Sequence, residues 1–481
     1  MLIRRRNLYC IFVLFIELAV ALILYLLPDR GDTVDMMRKI GLAAWICFII
    51  SGVTIYQLER KVSAFFCFLC FAYLFSFGQS LMSLFNLQLQ NTVFSVSRGF
   101  FSNAILKSSA AFVLISIVVT CIGYCLIYEP IDIESSNIMD TTEADCRSER
   151  LRTVAWILFF ISVVPTFYLL VKDFKTVLSI GYGATLETTT GLDRLFTLIS
   201  GFFVSSILLL YMFEKKKRLL VYIIIISYLA MQLMGGSRIA IFRLAIVFLL
   251  IEQFYFHSLN KRKWILIVIL SVAAALVLSL VSSVRNYLYL ASDIHQLITT
   301  SFQNLLKNNF IAASINEMGN TQLINALVMD KCPSVEPFQL GFSYIKMLWA
   351  IVPNFIGSAY TGYIGIDITF SPYYTLTNAG MGASYISEGY WNFGYLSFIA
   401  FLIFGMLLAW VVKKFEYYAK TKQSPRKLFL SVYIIYFILF LVRSESLEFG
   451  RNFVYYGIIP VLLSFCEVNS SMRNRYRETD Y

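Results

Sequence analysis

Thr377-Asn378-Ala379-Gly380-Met381-Gly382-Ala383-Ser384-Tyr385-Ile386-Ser387-Glu388-Gly389-Tyr390-Trp391-Asn392-Phe393-Gly394 closes a stretch, residues 285–392, unlike the rest of the chain. It is the one long segment that is neither strongly apolar nor marked by blocks of basic residues. On both sides of it lie apolar runs close to the roughly 20 residues a helix needs to cross a bilayer. The chain has 481 residues, 58% hydrophobic and only 14% charged. Soluble domains carry about 25% charged residues, so this much apolar surface belongs in lipid. Lipid offers the backbone no hydrogen-bond partners, and long apolar runs satisfy it as helices. The fold class that follows is an all-α polytopic membrane protein, with residues 285–392 as one large extracytoplasmic loop.

About twelve spans are expected, a number set by length and hydropathy. Nine lie in residues 1–284, at 8–27, 40–56, 62–85, 104–128, 151–171, 195–213, 219–234, 239–256 and 264–284. Three lie in residues 393–481, at 395–412, 428–442 and 452–465, ahead of a tail. The first run follows Arg4, Arg5 and Arg6 and is longer than a signal-peptide core. Pro28-Asp29-Arg30 is a poor cleavage context, so the run reads as a span. With the N-terminus in the cytoplasm, the basic blocks at Arg60-Lys61, Lys215–Arg218, Lys261–Lys263 and Lys413–Lys427 all fall inside. The positive-inside rule then puts both termini in the cytoplasm and residues 285–392 outside the plasma membrane. It also accounts for the net charge of +11 without nucleic acid. Residues 129–150 read as a solvated acidic linker on the inner side. The nine cysteines have no histidine or carboxylate cluster beside them, so no metal site is expected. The two halves of the chain share no repeat, which speaks against the usual transporter plan.

Within the large loop, Ile294, Leu297, Ile298, Phe302, Leu305, Leu306 and Phe310 recur at helical spacing. Residues 293–329 therefore read as amphipathic helix, lying on the membrane face or packed on the spans. A second such segment covers 342–351. The Gly- and Tyr-rich stretch 358–370 suits an interfacial aromatic belt, the commoner use, and also stacking on sugar rings. Tyr385, Tyr390, Trp391 and Asn392 are candidate substrate contacts, as are Arg285 and Asp367. A carboxylate near the bilayer is costly unless paired, which makes Glu388 either a functional group or half of a structural ion pair. Two arginine-bearing breaks face the same side. Gly235-Gly236-Ser237-Arg238 interrupts an apolar run, and Arg443-Ser444-Glu445-Ser446-Leu447-Glu448-Phe449-Gly450-Arg451 turns between the last two spans. A single arginine there is ordinarily a snorkelling helix-end residue. Together they suit bidentate binding of phosphate. Arg243 and Glu252 are expected at opposite ends of one span, both snorkelling.

These features resemble one family. Gly235-Gly236-Ser237-Arg238 opening a span, Ile351-Val352-Pro353 after an outer helix, the Ser384–Gly394 run, and Arg443 with Arg451 are similar to Wzy-type oligosaccharide repeat-unit polymerases, the O-antigen and capsular polysaccharide polymerase family. The likeness covers the chain from about residue 219 onward. It implies a GT-C-like helical membrane fold and glycosyl transfer at the outer face of the bacterial plasma (inner) membrane. The substrate implied is undecaprenyl-pyrophosphate-linked oligosaccharide, with no metal, nucleotide or other cofactor. A chain-length regulator and a flippase are the partners implied. The resemblance assigns active-centre arginines to Arg238, Arg443 and Arg451.

The residues are compatible with that chemistry. Breaking the anomeric C–O bond to a lipid pyrophosphate builds negative charge, which preorganised arginines stabilise. A sugar hydroxyl needs a proton acceptor, for which Glu388 is the first candidate and Asp367 the second; His295 is a further one. Two other readings compete. A lipid-linked oligosaccharide flippase would carry charge along mid-span faces, whereas here the polar mass is one outer segment. An O-antigen ligase would share the chemistry and differ in its acceptor.

Overall fold

The protein's structure, a computed structural model, describes residues 5–29, 31–87, 100–130, 141–179, 191–235, 238–257, 318–349, 383–439 and 441–465. It also describes a few positions between 259 and 316, and residue 351. Of the sequence-derived expectations, nearly all of the span at 264–284 and candidates Arg285 and Asp367 lie outside the described residues.

The first helices are α1 (Arg5–Leu26), α2 (Thr33–Glu59), α3 (Ala64–Leu84) and α4 (Asn103–Ile127). There follow α5 (Thr141–Ser179), α6 (Gly191–Phe213), α7 (Arg218–Gly235) and α8 (Arg238–Phe254). The loop region contributes α9 (Thr321–Lys331), α10 (Phe342–Trp349) and α11 (Tyr385–Phe393). A 3₁₀ turn, Gly394–Leu396, leads into α12 (Ser397–Thr421), and α13 (Pro425–Ile438) and α14 (Ser446–Asn452) come next. A π-helical turn, Phe453–Ile458, joins α14 to α15 (Ile459–Leu463). No strand occurs among the described residues. Among the described residues, seven stretches are long and apolar enough to span a membrane: α1 to α4, the apolar parts of α5 and α6, and the run Tyr385–Thr421. The chain is thus a polytopic helical membrane protein.

Local signals set the helix starts. Asp32, Ser63 and Ser102 each cap a helix by accepting from backbone N–H groups of its first turn. Such a cap contributes about 1 kcal/mol. Arg60 ends α2 in the left-handed region, φ 56°.

The ends of the helices sort into two layers. At one end, Lys61 pairs with Glu416 at 2.7 Å, and the Tyr128 hydroxyl donates to the same carboxylate at 3.2 Å. Glu416 is 0% exposed, so removing Lys61 would strand a buried charge. Asn7 donates to the carbonyls of Cys125 and Tyr128 there, and Arg426 donates to the Ser464 carbonyl. At the opposite end, Lys107 donates to the Leu27 carbonyl at 2.6 Å and Asn103 to that of Gly31 at 3.0 Å.

α4 and α12 touch backbone to backbone. A Cβ on Gly405 would stand 2.0 Å from the Thr120 carbonyl oxygen, and one on Gly123 2.1 Å from that of Leu402. Small residues permit this approach in lipid, where packing replaces the hydrophobic effect. Gly405→Val is therefore expected to cost about 3 kcal/mol through forced separation of the two helices. A thermal melt of the detergent-solubilised variant, several degrees below wild type, checks this; an unchanged melt would show that the contact yields freely.

The loop region packs on the spans. α9 docks on α3, where a Cβ on Gly78 would stand 2.6 Å from the Ile315 carbonyl oxygen. Gln322 Nε2 donates to Ser80 Oγ, Gln79 donates to Asn320 at 2.9 Å, and Ser80 N–H donates to Gln322 Oε1 at 3.2 Å. Of the two placements open to this amphipathic segment, α9 takes the packed one.

Candidate active site

The site is built around the turn between α13 and α14. The sequence suggests a span ending at residue 442, with the arginines at the tip of a hairpin. Instead α13 has 14 residues, about 21 Å of helix, against about 30 Å of hydrocarbon core. The turn is therefore recessed in the bundle. The Arg443 guanidinium carbon lies 5.8 Å from the centre of the Phe75 ring. Phe75 stands eleven residues along α3 from Ala64, at about 16 Å of rise, close to half the core thickness.

α11 grips this turn on both sides of Arg443. The Tyr385 N–H donates to the Leu441 carbonyl at 2.9 Å. Glu388 Oε2 accepts the Ser446 N–H at 2.8 Å, and its Oε1 accepts the Ser446 hydroxyl at 2.6 Å. The Ser343 hydroxyl of α10 donates to the same Oε1 at 2.7 Å. Glu388 is 2% exposed, and these bonds occupy both of its oxygens. Each hydrogen bond to a charged group contributes about 1.5–3 kcal/mol. The carboxylate is satisfied here by hydroxyl and amide donors.

α11 itself is pinned at both termini. Ser384 forms a capping box with Ser387, and its hydroxyl donates to Asn325 Oδ1 of α9 at 3.0 Å. At the other end, Asn392 Nδ2 donates to Ser343 Oγ at 2.7 Å and its Oδ1 accepts from Gly341 N at 3.0 Å. Gly394 then takes φ +56° with the Phe338 ring close by, room that only glycine leaves. α11 thus joins α9, α10, α12 and the arginine turn.

The aromatic candidates are interior. Tyr385 sits 5.6 Å from Phe68 and 5.2 Å from Phe404, ring centre to ring centre. Tyr390 packs edge-on to Phe112 at 5.0 Å and to Phe338 at 5.9 Å. Trp391 is equally buried, and its carbonyl accepts from Gln339 N. In this conformation these residues form the wall behind the turn, with other protein rings around them.

Arg451 lies in the last turn of α14 and is exposed. The residue before it, Gly450, meets Met347 of α10 so closely that a Cβ would stand 2.3 Å from Met347 Cγ. Arg238 is the first residue of α8, and only its backbone is described. His295 lies on an exposed helical position.

Three residues escaped the sequence reading. Ser343 and Ser446 are ordinary serines there, and nothing short of tertiary structure brings them to Glu388. Lys346, on α10, is 7% exposed, with its ammonium 4.9 Å from the Phe342 ring centre. Burial lowers its pKa below the ordinary lysine value. Glu252 sits at the end of its helix, where it accepts from the Tyr211 hydroxyl and pairs with Arg218 at 3.4 Å. Arg243 departs from the snorkelling expectation and turns inward onto Tyr436.

The fold and this arginine-bearing turn define a polytopic helical membrane protein. The family model for O-antigen polysaccharide polymerase Wzy matches residues 8–475, and the chain belongs to that family. No curated protein and no solved structure matches it.

Proposed function

We propose that this polymerase joins undecaprenyl-pyrophosphate-linked repeat units by glycosyl transfer at the outer face of the plasma membrane, without metal or nucleotide. The observation that carries the reading is the turn holding Arg443, clamped on one side through Tyr385–Leu441 and on the other through Glu388–Ser446. A guanidinium fixed in a low-dielectric interior stabilises developing charge far more than one in water. The orientation is supported by the basic end of the bundle, where Lys61, Lys413 and Arg426 gather, as the cytoplasmic side would require.

In this reading the acceptor hydroxyl attacks the anomeric carbon of the donor glycan. A new C–O bond forms while the bond from that carbon to pyrophosphate breaks, and the electron pair leaves with undecaprenyl pyrophosphate. Arg443, Arg451 and Arg238 take up the charge on the leaving group. The hydroxyl proton goes to a carboxylate, for which Asp367 is the candidate. Glu388, which accepts from Ser446 and Ser343, acts as a positioning residue for Arg443. Arg285 and the wall of Tyr385, Tyr390, Trp391 and Asn392 shape the substrate's place. A chain-length regulator and a flippase remain the proposed partners.

Deleting the gene and examining surface glycan and lipid-linked intermediates tests the reading. Single repeats at the surface, restored to polymer by the wild-type gene, are the expected result. Repeats trapped on the cytoplasmic leaflet would identify a flippase instead. Long lipid-linked polymer that never reaches its acceptor would identify a ligase.

A further inference from the structure

We propose that Arg243 is a second phosphate-binding residue of the polymerase site, acting beside Arg443 in one cavity inside the bundle. The inference rests on the proposed use of a lipid pyrophosphate and extends it to a residue outside the family resemblance.

Arg243 lies inside an apolar helix, in the second turn from its start at Arg238. It stands eleven residues before Phe254, whose ring packs 5.5 Å from Phe415 near the Lys61–Glu416 pair. That places it about 16 Å from the basic end, the depth already found for Phe75 and Arg443. A charged side chain at such depth is expensive and marks a functional position by default. The side chain does not reach for either surface. Its guanidinium carbon is 3.8 Å from the centre of the Tyr436 ring and 5.3 Å from that of Phe437. One of its nitrogens donates to the Tyr436 hydroxyl. Stacking and hydrogen bond together fix the plane of the fork, which is what bidentate recognition of phosphate needs.

The cavity that Arg243 enters is also lined by Arg443. Its other walls are Phe71, Phe75, Phe242, Met318 and two aliphatic residues. Among the described residues of that lining, the charged members are the two guanidinium side chains. A doubly charged anion placed between the two would meet both guanidinium groups. The cavity measures about 10 Å3, room for about one water. Entry of a phosphate therefore displaces a wall, and Met318, unbranched and adaptable, is the member suited to yield. The chemical class that fits is the pyrophosphate of a polyprenyl lipid, whose two phosphates span two separate guanidinium groups. A monophosphate headgroup engages only one of them.

The test is binding by the full-length protein in nanodiscs, measured with undecaprenyl pyrophosphate, undecaprenyl monophosphate and phosphatidylglycerol. Arg243→Met, which keeps the apolar length and removes the charge, is expected to weaken pyrophosphate binding by about tenfold or more. Phosphatidylglycerol binding should be unchanged. Arg243→Lys, a point charge without the fork, is expected to recover only part of the loss. Wild-type affinity for the pyrophosphate in a folded Arg243→Met protein would overturn the proposal, as would equal weakening for all three lipids. Should Arg243→Met fail to fold, Arg243→Lys and Tyr436→Phe decide. Undiminished pyrophosphate binding in both would overturn the proposal; weakening selective for the pyrophosphate in either would uphold it. A wild-type protein that does not bind the pyrophosphate at all would instead sink the underlying function. Weakening by Arg443→Ala with none from Arg243→Met would sink the Arg243 assignment alone.

Discussion

Arg443→Ala is expected to reduce polymer formation by about 10²–10³-fold, leaving a surface that carries single repeats. The magnitude is that of removing one preorganised donor aimed at developing charge in a water-poor site. Arg443 meets both conditions, because its turn is clamped by α11 and its guanidinium lies against Phe75 inside the bundle. The clamp runs through the Leu441 carbonyl and Ser446. The variant should therefore fold, with a thermal transition near wild type. Arg443→Lys should recover part of the activity, since the charge remains and the fork is lost. The measurement is glycan length on cells expressing each variant at matched level. Full-length polymer from Arg443→Ala would remove this arginine from the site.

Glu388 gives the second large effect, and here the pattern across variants matters more than any single loss. Glu388→Ala leaves the Ser446 N–H, the Ser446 hydroxyl and the Ser343 hydroxyl without their acceptor. Stranding buried donors in this way costs about 3 kcal/mol. The turn is also released, and a shift of about 1 Å at a reacting centre can cost about 10²-fold in rate. The expected outcome is a lowered melting temperature together with at least that loss of polymer. Glu388→Gln keeps the shape and one carbonyl acceptor for the Ser446 N–H, and both hydroxyls can rotate to accept from the amide. It should retain activity within about tenfold of wild type. A general base behaves differently, since its amide forfeits about 10²–10⁴-fold with the structure intact. A Glu388→Gln protein that melts like wild type yet makes no polymer would return Glu388 to the proton-transfer role.

Much of the architecture is legible in the chain because hydropathy is a local property. Runs such as those at 8–27 and 104–128 must be helices, since lipid leaves the backbone no other partner. The breaks at Gly235-Gly236-Ser237 and at 443–451 also show in one dimension, as polar residues between apolar runs. What those breaks do is not visible there. A hairpin between two spans reads as an outer turn whether its tip clears the bundle or stops at half depth. The difference comes from α13 being about 21 Å long, and from α11 reaching in to hold the turn. The Ser384–Gly394 run stands out by composition, but composition alone leaves Tyr385 and Tyr390 free to be belt, sugar platform or wall.

By itself the sequence determined that this is a multi-span helical membrane protein with its basic residues in blocks, and its motifs pointed to the polymerase family before any contact was known. Those are matters of transfer free energy and residue spacing, carried by each segment independently. Tertiary structure alone decided that Glu388 meets Ser343 and Ser446, and that Arg243 turns inward to share a cavity with Arg443. Each of these contacts joins residues far apart in the chain. A buried charge is tolerable only beside partners that distant segments deliver, so its role is written in the packing.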